Sequence, residues 1–546
     1  MKTTNSIGTY LIEKLYQNGA HHVFGVPGDF VLGFNKLLED SQIEFVNTCD
    51  EQGAGFAADA YARLTGLGAV CITYSVGGLK IANTTAQAFA EKSPVVVISG
   101  SPGTNERVKN PLLHHKIRNF NTQYNIFKEL TVAATVLDNP KTAFEEIDRV
   151  LAAARRYKRP VYIEIPRDMV NQPGNLDYSL DLQPQVSNPD ALAEVLREAA
   201  NKINAAKQPV ILAGVEMHRF GLQEELLKLV EKTNIPIAET LLGKSTISEI
   251  HPNYIGIYEG AMGNKFTREY VESSDCLIML GTFLSDINLG IFTAHLEPKY
   301  SIYVTSEKTS VGFHNYDEVY LKDFILGLLQ ADIHPRELNI QIDFKPPRDF
   351  SVISGKSITI ARLFERLNSF LSKDTIVIAD VGDALFAGSE LFVYDKTRFL
   401  SPAYYASLGF AVPASIGAQF ANSSIRPLVL VGDGAFQMTG MELSTIVRYG
   451  LNPIVILLNN GGYGTERPML DGAFNDVLLW KYSQIPQVLG AGLGFDIHTE
   501  DELETALLQS QTHSESFCIL DIHLDPEDTS PALKRLTRAL GERVHN

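Results

Sequence analysis

Val431–Glu466 reads VGDGAFQMTGMELSTIVRYGLNPIVILLNNGGYGTE. Two apolar runs, Leu428–Val431 and Ile454–Leu458, stop abruptly on small and polar residues. Gly432-Asp433-Gly434 follows the first and Asn459-Asn460-Gly461 the second. Short β-branched runs of this kind read as strands buried in a parallel sheet, where ligands sit beyond the carboxyl ends of the strands. Gly432, Gly434 and Ala435 supply a turn in which backbone amides approach a phosphate. Asp433 is a hard anionic oxygen donor, and Asn460 offers an amide oxygen from the neighbouring strand end. That donor set suits Mg²⁺, which keeps water and completes its octahedron with phosphate oxygens. A GDG alone also makes ordinary tight turns. The helical spacer and the second strand ending in Asn-Asn make the combination specific.

The same alternation extends along the chain. VVVISG (Val95–Gly100), VYIEIP (Val161–Pro166), VILAG (Val210–Gly214) and CLIMLG (Cys276–Gly281) read as buried strands. So do IVIAD (Ile376–Asp380), LVLVGDG (Leu428–Gly434), IVILLNN (Ile454–Asn460) and CILDIHL (Cys518–Leu524). Helical patterns such as Ala191–Ile203 and Ile360–Leu371 lie between them. The alternation predicts an α/β protein of doubly wound parallel sheets. Two polar, Pro-rich stretches, Asn171–Asp190 and Phe344–Ser357, interrupt it and read as linkers. Three domains are therefore expected, over 1–175, 190–343 and 358–546.

With 546 residues the chain is too long for one ordinary core. A net charge of −17 argues against nucleic acid or an anionic membrane as the main partner. The four cysteines, Cys49, Cys71, Cys276 and Cys518, form no CxxC pair, which predicts a reducing compartment with neither a metal cluster nor a disulfide framework. Without an apolar segment of signal-peptide or membrane-spanning kind, the expected location is the cytoplasm.

Further motifs accompany the GDG–NN pair: FGVPGDF (Phe24–Phe30), NTCDEQGAGFAADAYAR (Asn47–Arg63), AEKSPVVVISGSPGT (Ala90–Thr104), LLHH (Leu112–His115), YYASLGFAVPASIGA (Tyr404–Ala418) and GGYGTE (Gly461–Glu466). Together they resemble the thiamine-diphosphate-dependent 2-keto-acid decarboxylases, the pyruvate, indolepyruvate and phenylpyruvate decarboxylase group, over nearly the whole chain. The resemblance implies an aminopyrimidine-binding domain first, a middle domain second and a diphosphate- and Mg-binding domain last. It implies thiamine diphosphate as cofactor and Mg²⁺ held by Asp433, Asn460 and the Gly462 carbonyl. Gly382, Ala406, Leu408, Gly432, Gly434 and Ala435 match the other cofactor-contacting positions. The family often has Ser where this chain has Ala435, so one hydroxyl contact is absent.

Glu51 on its own reads as a charge at a helix start, favoured by the helix dipole. The resemblance places it against the pyrimidine N1′, where a shared proton favours the imino form that deprotonates thiazolium C2. Leu408, otherwise a packing residue, matches the apolar prop that bends the cofactor. Asp29, His114, His115 and Glu466 match the catalytic positions that move protons after CO₂ leaves. Leu385, Thr465, Leu536 and Leu540 match positions shaping the substrate pocket. They imply a mainly apolar cavity for aromatic or branched-chain 2-keto acids, with phenylpyruvate and indolepyruvate as examples. Asp383 departs from the pattern. Many relatives carry Thr there, and a carboxylate beside phosphates is unfavourable unless it turns away or meets a cation.

The expected reaction is non-oxidative decarboxylation to an aldehyde and CO₂, by a homodimer that completes each site and pairs into a homotetramer. A pyruvate decarboxylase and an acetolactate-synthase-like carboligase are the alternatives. A non-catalytic homologue is disfavoured because Glu51, Asp433 and Glu466 are all present. A nucleotide-dependent dehydrogenase is disfavoured for want of a GxGxxG after a strand.

Overall fold

The computed structural model describes residues 5–180, 185–338, 340 and 350–544, the stretch 539–544 as helix backbone without its side chains. Three sheets with flanking helices follow one another along the chain. The first contains His22–Gly25, Glu44–Asn47, Gly68–Ile72, Val95–Ser101, Ala133–Val136 and Val161–Pro166, all parallel. The third contains Thr375–Ala379, Phe399–Leu400, Arg426–Gly432, Ile454–Asn459, Leu493–Ile497 and Cys518–His523, also all parallel.

The middle sheet departs from the all-parallel expectation. Its parallel strands end in an antiparallel hairpin, Thr309–Val311 with His314–Tyr316. Gly312, with φ +58°, and Phe313 form the two-residue turn. Positive φ at the first turn position is what a tight hairpin connection demands, and glycine meets it without strain.

Register in the third sheet brings the opening motif together. Gly432 lies opposite Leu458, so Asp433 and Asn460 emerge side by side at one sheet edge. Both strands are buried along nearly their whole length, in agreement with their unbroken apolar runs. Asn188 accepts from the amides of Asp190 and Ala191 and caps helix Pro189–Ala205, which ends the Asn171–Asp190 stretch. In the second polar stretch, residues 344–349 lie outside the described residues, and Ser357 bridges to Thr499.

The first and third units share a core. Helix Glu51–Thr65 runs along helix Ala411–Ala421, with Phe56 and Phe410 ring centroids 5.7 Å apart. A Cβ on Gly417 would stand 2.0 Å from the Ala57 carbonyl oxygen, so the close crossing depends on glycine. Arg63 lies within this contact and is fully desolvated. It donates to Asp59, to Glu91 and to the Ser401 carbonyl at 2.8–2.9 Å. Removing one partner of a buried ionic network strands the remaining charges, so Arg63→Ala should cost about 3–5 kcal/mol. The check is a lowered urea midpoint at unchanged slope, with Arg63→Lys intermediate.

A candidate active site at the edges of the first and third sheets

At the third-sheet edge, Asp433 is wholly buried and opens helix Asp433–Thr439. The Gly434 amide donates to its Oδ1 at 2.7 Å. The Gly461 and Gly462 amides donate to Oδ2 at 2.7 and 3.1 Å. Burial pushes the carboxyl up to about 6, against the pull of these amides. The turn that presents those amides depends on its glycines. Gly462 has φ +149°, and a Cβ there would lie 2.0 Å from the Asn475 carbonyl oxygen. Arg467 braces the following loop through Asp471 (3.0 Å), Asp476 (2.7 Å) and the Gly461 carbonyl (3.2 Å). This leaves Glu466 exposed.

In the first unit, His114 Nε2 lies 2.7 Å from Asp29 Oδ2 and its ring stacks on Phe30 at 4.8 Å. His115 stands edge-on to His114 at 4.8 Å. Its Nδ1 and the Thr73 hydroxyl are buried and have no hydrogen-bond partner among the described residues. Thr73 stands against Gly28, next to Asp29, and a buried polar atom without a protein partner leaves a bond for water or a ligand. Asp29 and His114 are nonetheless open to solvent, with side chains 43% and 55% exposed. Glu51 is the first residue of its helix and pairs with Lys80 at 2.7 Å.

Side chains far away in sequence hold these pieces. Glu442, buried in the third unit, accepts from the amides of Cys49 (3.2 Å) and Asp50 (3.0 Å) and from Thr445, and so fixes the turn before Glu51. The loop carrying Ala406 and Leu408 is gripped at both ends. Glu91 accepts from the Tyr404 and Tyr405 amides, each at 2.9 Å. Asp380 accepts from Gly409 (3.0 Å) and Ala411 (2.8 Å). Between them Asn83 donates to Ser407 at 2.7 Å, Ala406 takes φ +59°, and Leu408 is left half-buried on a rigid loop. None of Glu442, Glu91, Asp380 or Asn83 stood out in the sequence. The acidic residues lie in helical or strand-end contexts where a solvated carboxylate is the ordinary reading.

Leu385 and Leu536 are both buried in one apolar cluster. A Cβ on Gly382 would lie 3.2 Å from the Thr465 hydroxyl, which joins the diphosphate-type turn to the pocket-type residue. The Leu540 side chain lies outside the described residues. Asp383, the departure from the pattern, turns away: the Ser530 amide donates to its Oδ2 at 2.8 Å and the Ser530 hydroxyl to its Oδ1.

The geometry thus has two parts, and among the described residues no hydrogen bond, ion pair or ring contact joins them. Asp29, His114, His115 and Glu51 form one; Asp433, Asn460, Gly462, Thr465 and Glu466 form the other.

Comparison with known proteins places the whole chain. "Thiamine pyrophosphate enzyme, N-terminal TPP binding domain" matches residues 5–123, the corresponding central domain residues 196–323, and the C-terminal TPP binding domain residues 380–522. An indole-3-pyruvate decarboxylase of Azospirillum brasilense is 35% identical, covering 98% of each chain. The chain belongs to the thiamine-diphosphate-dependent 2-keto-acid decarboxylase family. A probable pyruvate decarboxylase of Schizosaccharomyces pombe is 32% identical over 98% of this chain and 95% of its own. An alpha-keto-acid decarboxylase of Mycobacterium avium is 30% identical over 98% and 96%.

This decarboxylase is accordingly a carboxy-lyase that uses thiamine diphosphate. Its own residues fit the cofactor's charged end. A glycine turn at the carboxyl edge of a parallel sheet surrounds the buried Asp433 carboxyl, whose oxygens the Gly434, Gly461 and Gly462 amides hold, and strand ends of this kind are where anionic groups are bound. No helix among the described residues is long and apolar enough to cross a membrane.

Proposed function

We propose that this decarboxylase converts 2-keto acids with aromatic or branched apolar side chains to the aldehyde and CO₂. Its site is built from the first unit of one copy and the third unit of another. The carrying observation is the buried Asp433 carboxyl at the strand end beside Asn460. A carboxylate away from water calls for a cation, and Mg²⁺ held by Asp433, Asn460 and the Gly462 carbonyl answers that need.

Bound thiamine diphosphate supplies a nucleophilic carbon and a sink for the electron pair left when CO₂ departs. Leu408, on its braced loop, would support the bound cofactor, and Gly434 and Ala435 would hold its diphosphate end. Glu51, held at its helix start by the Glu442 contacts to Cys49 and Asp50, would exchange a proton with the pyrimidine ring of the bound cofactor. Asp29 and His114, 2.7 Å apart, would hand protons to the product side together with His115 and Glu466. Leu385, Thr465, Leu536 and Leu540 line the side-chain pocket. Such an apolar wall separates substrates by size only modestly, and the relatives' names span indolepyruvate, pyruvate and alpha-keto acids generally.

The family resemblance, which sets the Glu51 side of the site against the Asp433 side of a second copy, supports assembly. So does the exposed apolar rim beside the cofactor loop, where Met438, Met441, Leu470, Phe474, Leu478 and Trp480 lie open in one copy. A rim of this kind is the surface a partner covers. A homodimer with two completed sites, doubled into a homotetramer in the cytoplasm, is the form proposed.

The test is a panel of pyruvate, a branched 2-keto acid, phenylpyruvate and indolepyruvate, with aldehyde and CO₂ measured with and without thiamine diphosphate and Mg²⁺. The larger substrates should exceed pyruvate by about tenfold in kcat/KM. Activity should vanish on removal of either cofactor. Preference for pyruvate, or acetolactate as main product, would favour the alternatives.

A further inference from the structure

Asp383 stands between the cofactor turn and the C-terminal helix. It follows Gly382, whose φ of +95° turns the chain next to Thr465, and it opens the short helix Asp383–Gly388 that carries Leu385. Its two carboxylate oxygens receive the amide and the hydroxyl of Ser530. Ser530 immediately precedes helix Pro531–Val544, accepts from the Leu533 amide at 3.0 Å through its own hydroxyl, and accepts from the Lys534 amide at 3.0 Å through its carbonyl. An anion bonded to the capping residue of a helix is favoured by the hydrogen bonds and by the helix dipole together. Burial pushes the Asp383 carboxyl up to about 6, with the Ser530 donors pulling it back and Asp528 and Glu390 adding to the rise. Both of its oxygens act as acceptors from Ser530. One turn on, Arg535 holds the same helix through Glu390 at 3.0 Å and through the Met262 carbonyl.

We propose that Asp383 is a positioning residue for substrate selection: it clamps the start of the C-terminal helix to the cofactor turn and so sets how closely Leu536 approaches Leu385. The inference rests on the reading of those two leucines as pocket walls. It also accounts for a carboxylate at a position next to phosphates. The charge is spent on Ser530, not on the cofactor, and the Gly382 turn becomes the hinge between cofactor and pocket. A Thr at 383 is shorter and uncharged and offers one oxygen in place of two, so it would hold Ser530 more weakly and leave the helix start looser.

The experiment uses full-length holoenzyme with Asp383→Ala, Asp383→Asn and Ser530→Ala. Hydrogen exchange is followed over 530–544, thiamine diphosphate affinity is titrated, and kcat and KM are measured over the keto-acid panel. Asp383→Ala should raise KM for the branched and aromatic substrates by at least about tenfold, since two bonds to a charged acceptor are lost. Exchange over 530–544 should rise, while cofactor affinity and pyruvate kcat stay within about threefold. Asp383→Asn keeps an amide oxygen for Ser530 and should recover much of the loss. Ser530→Ala keeps the amide donor and should fall between wild type and Asp383→Ala.

Unchanged exchange over 530–544 in Asp383→Ala would overturn the clamp. A defect confined to cofactor affinity, or an equal loss for all substrates, would overturn its role in selection. If the unmodified enzyme acted on none of the panel, the proposed function would fail on that result alone, and the exchange data would still decide the clamp.

Discussion

Glu51→Gln should retain thiamine diphosphate and lose turnover by about 100- to 10,000-fold, the range that general acid–base groups contribute. The side chain keeps its size and hydrogen-bonding capacity, and the helix start braced by Glu442 is untouched. What disappears is a group able to take and return a proton. Cofactor affinity by fluorescence titration should stay within about threefold of the unmodified enzyme, while exchange of the cofactor's C2 proton slows in parallel with turnover. A variant that bound cofactor and turned over normally would remove Glu51 from the proton path. Loss of cofactor binding instead would make its role adhesive.

Asp433→Ala should fail one step earlier. It removes the anionic oxygen at the strand end and leaves the Gly461 and Gly462 amides without their acceptor. Mg²⁺-dependent cofactor binding should drop by at least about 100-fold, because an absent charged partner costs more than a neutral one. Activity at ordinary cofactor concentrations should be undetectable, with the fold retained by circular dichroism. These two variants together also test assembly. If Glu51 of one copy works with Asp433 of another, a mixed dimer of the two inactive variants contains one unmutated site and one doubly mutated site. Random pairing in equal amounts then restores about one quarter of full activity. Absence of rescue despite demonstrated subunit exchange would mean that each chain builds its site alone.

The sequence by itself determined the local grammar of this protein. Apolar runs ending on glycine, aspartate or asparagine became parallel strands whose carboxyl ends meet at one edge, because burial on both faces and a small-residue turn are local properties. The GDG and NN motifs were legible for the same reason, since the residues that make the turn also carry the donors. The resemblance supplied roles for Glu51, Asp29, His114, His115 and Glu466 that no local pattern contains. Only the tertiary structure decided what holds them. Glu442 reaches Asp50 across 392 positions, Glu91 reaches Tyr404 across 313, and Asp383 reaches Ser530 across 147. A carboxylate in sequence carries no mark of which distant amide it will meet. For Glu442 and Glu91 that choice is made when the first and third units pack helix to helix through glycine and alanine, and for Asp383 when the C-terminal helix closes on the third sheet; each time water is excluded and a buried acceptor meets its donor.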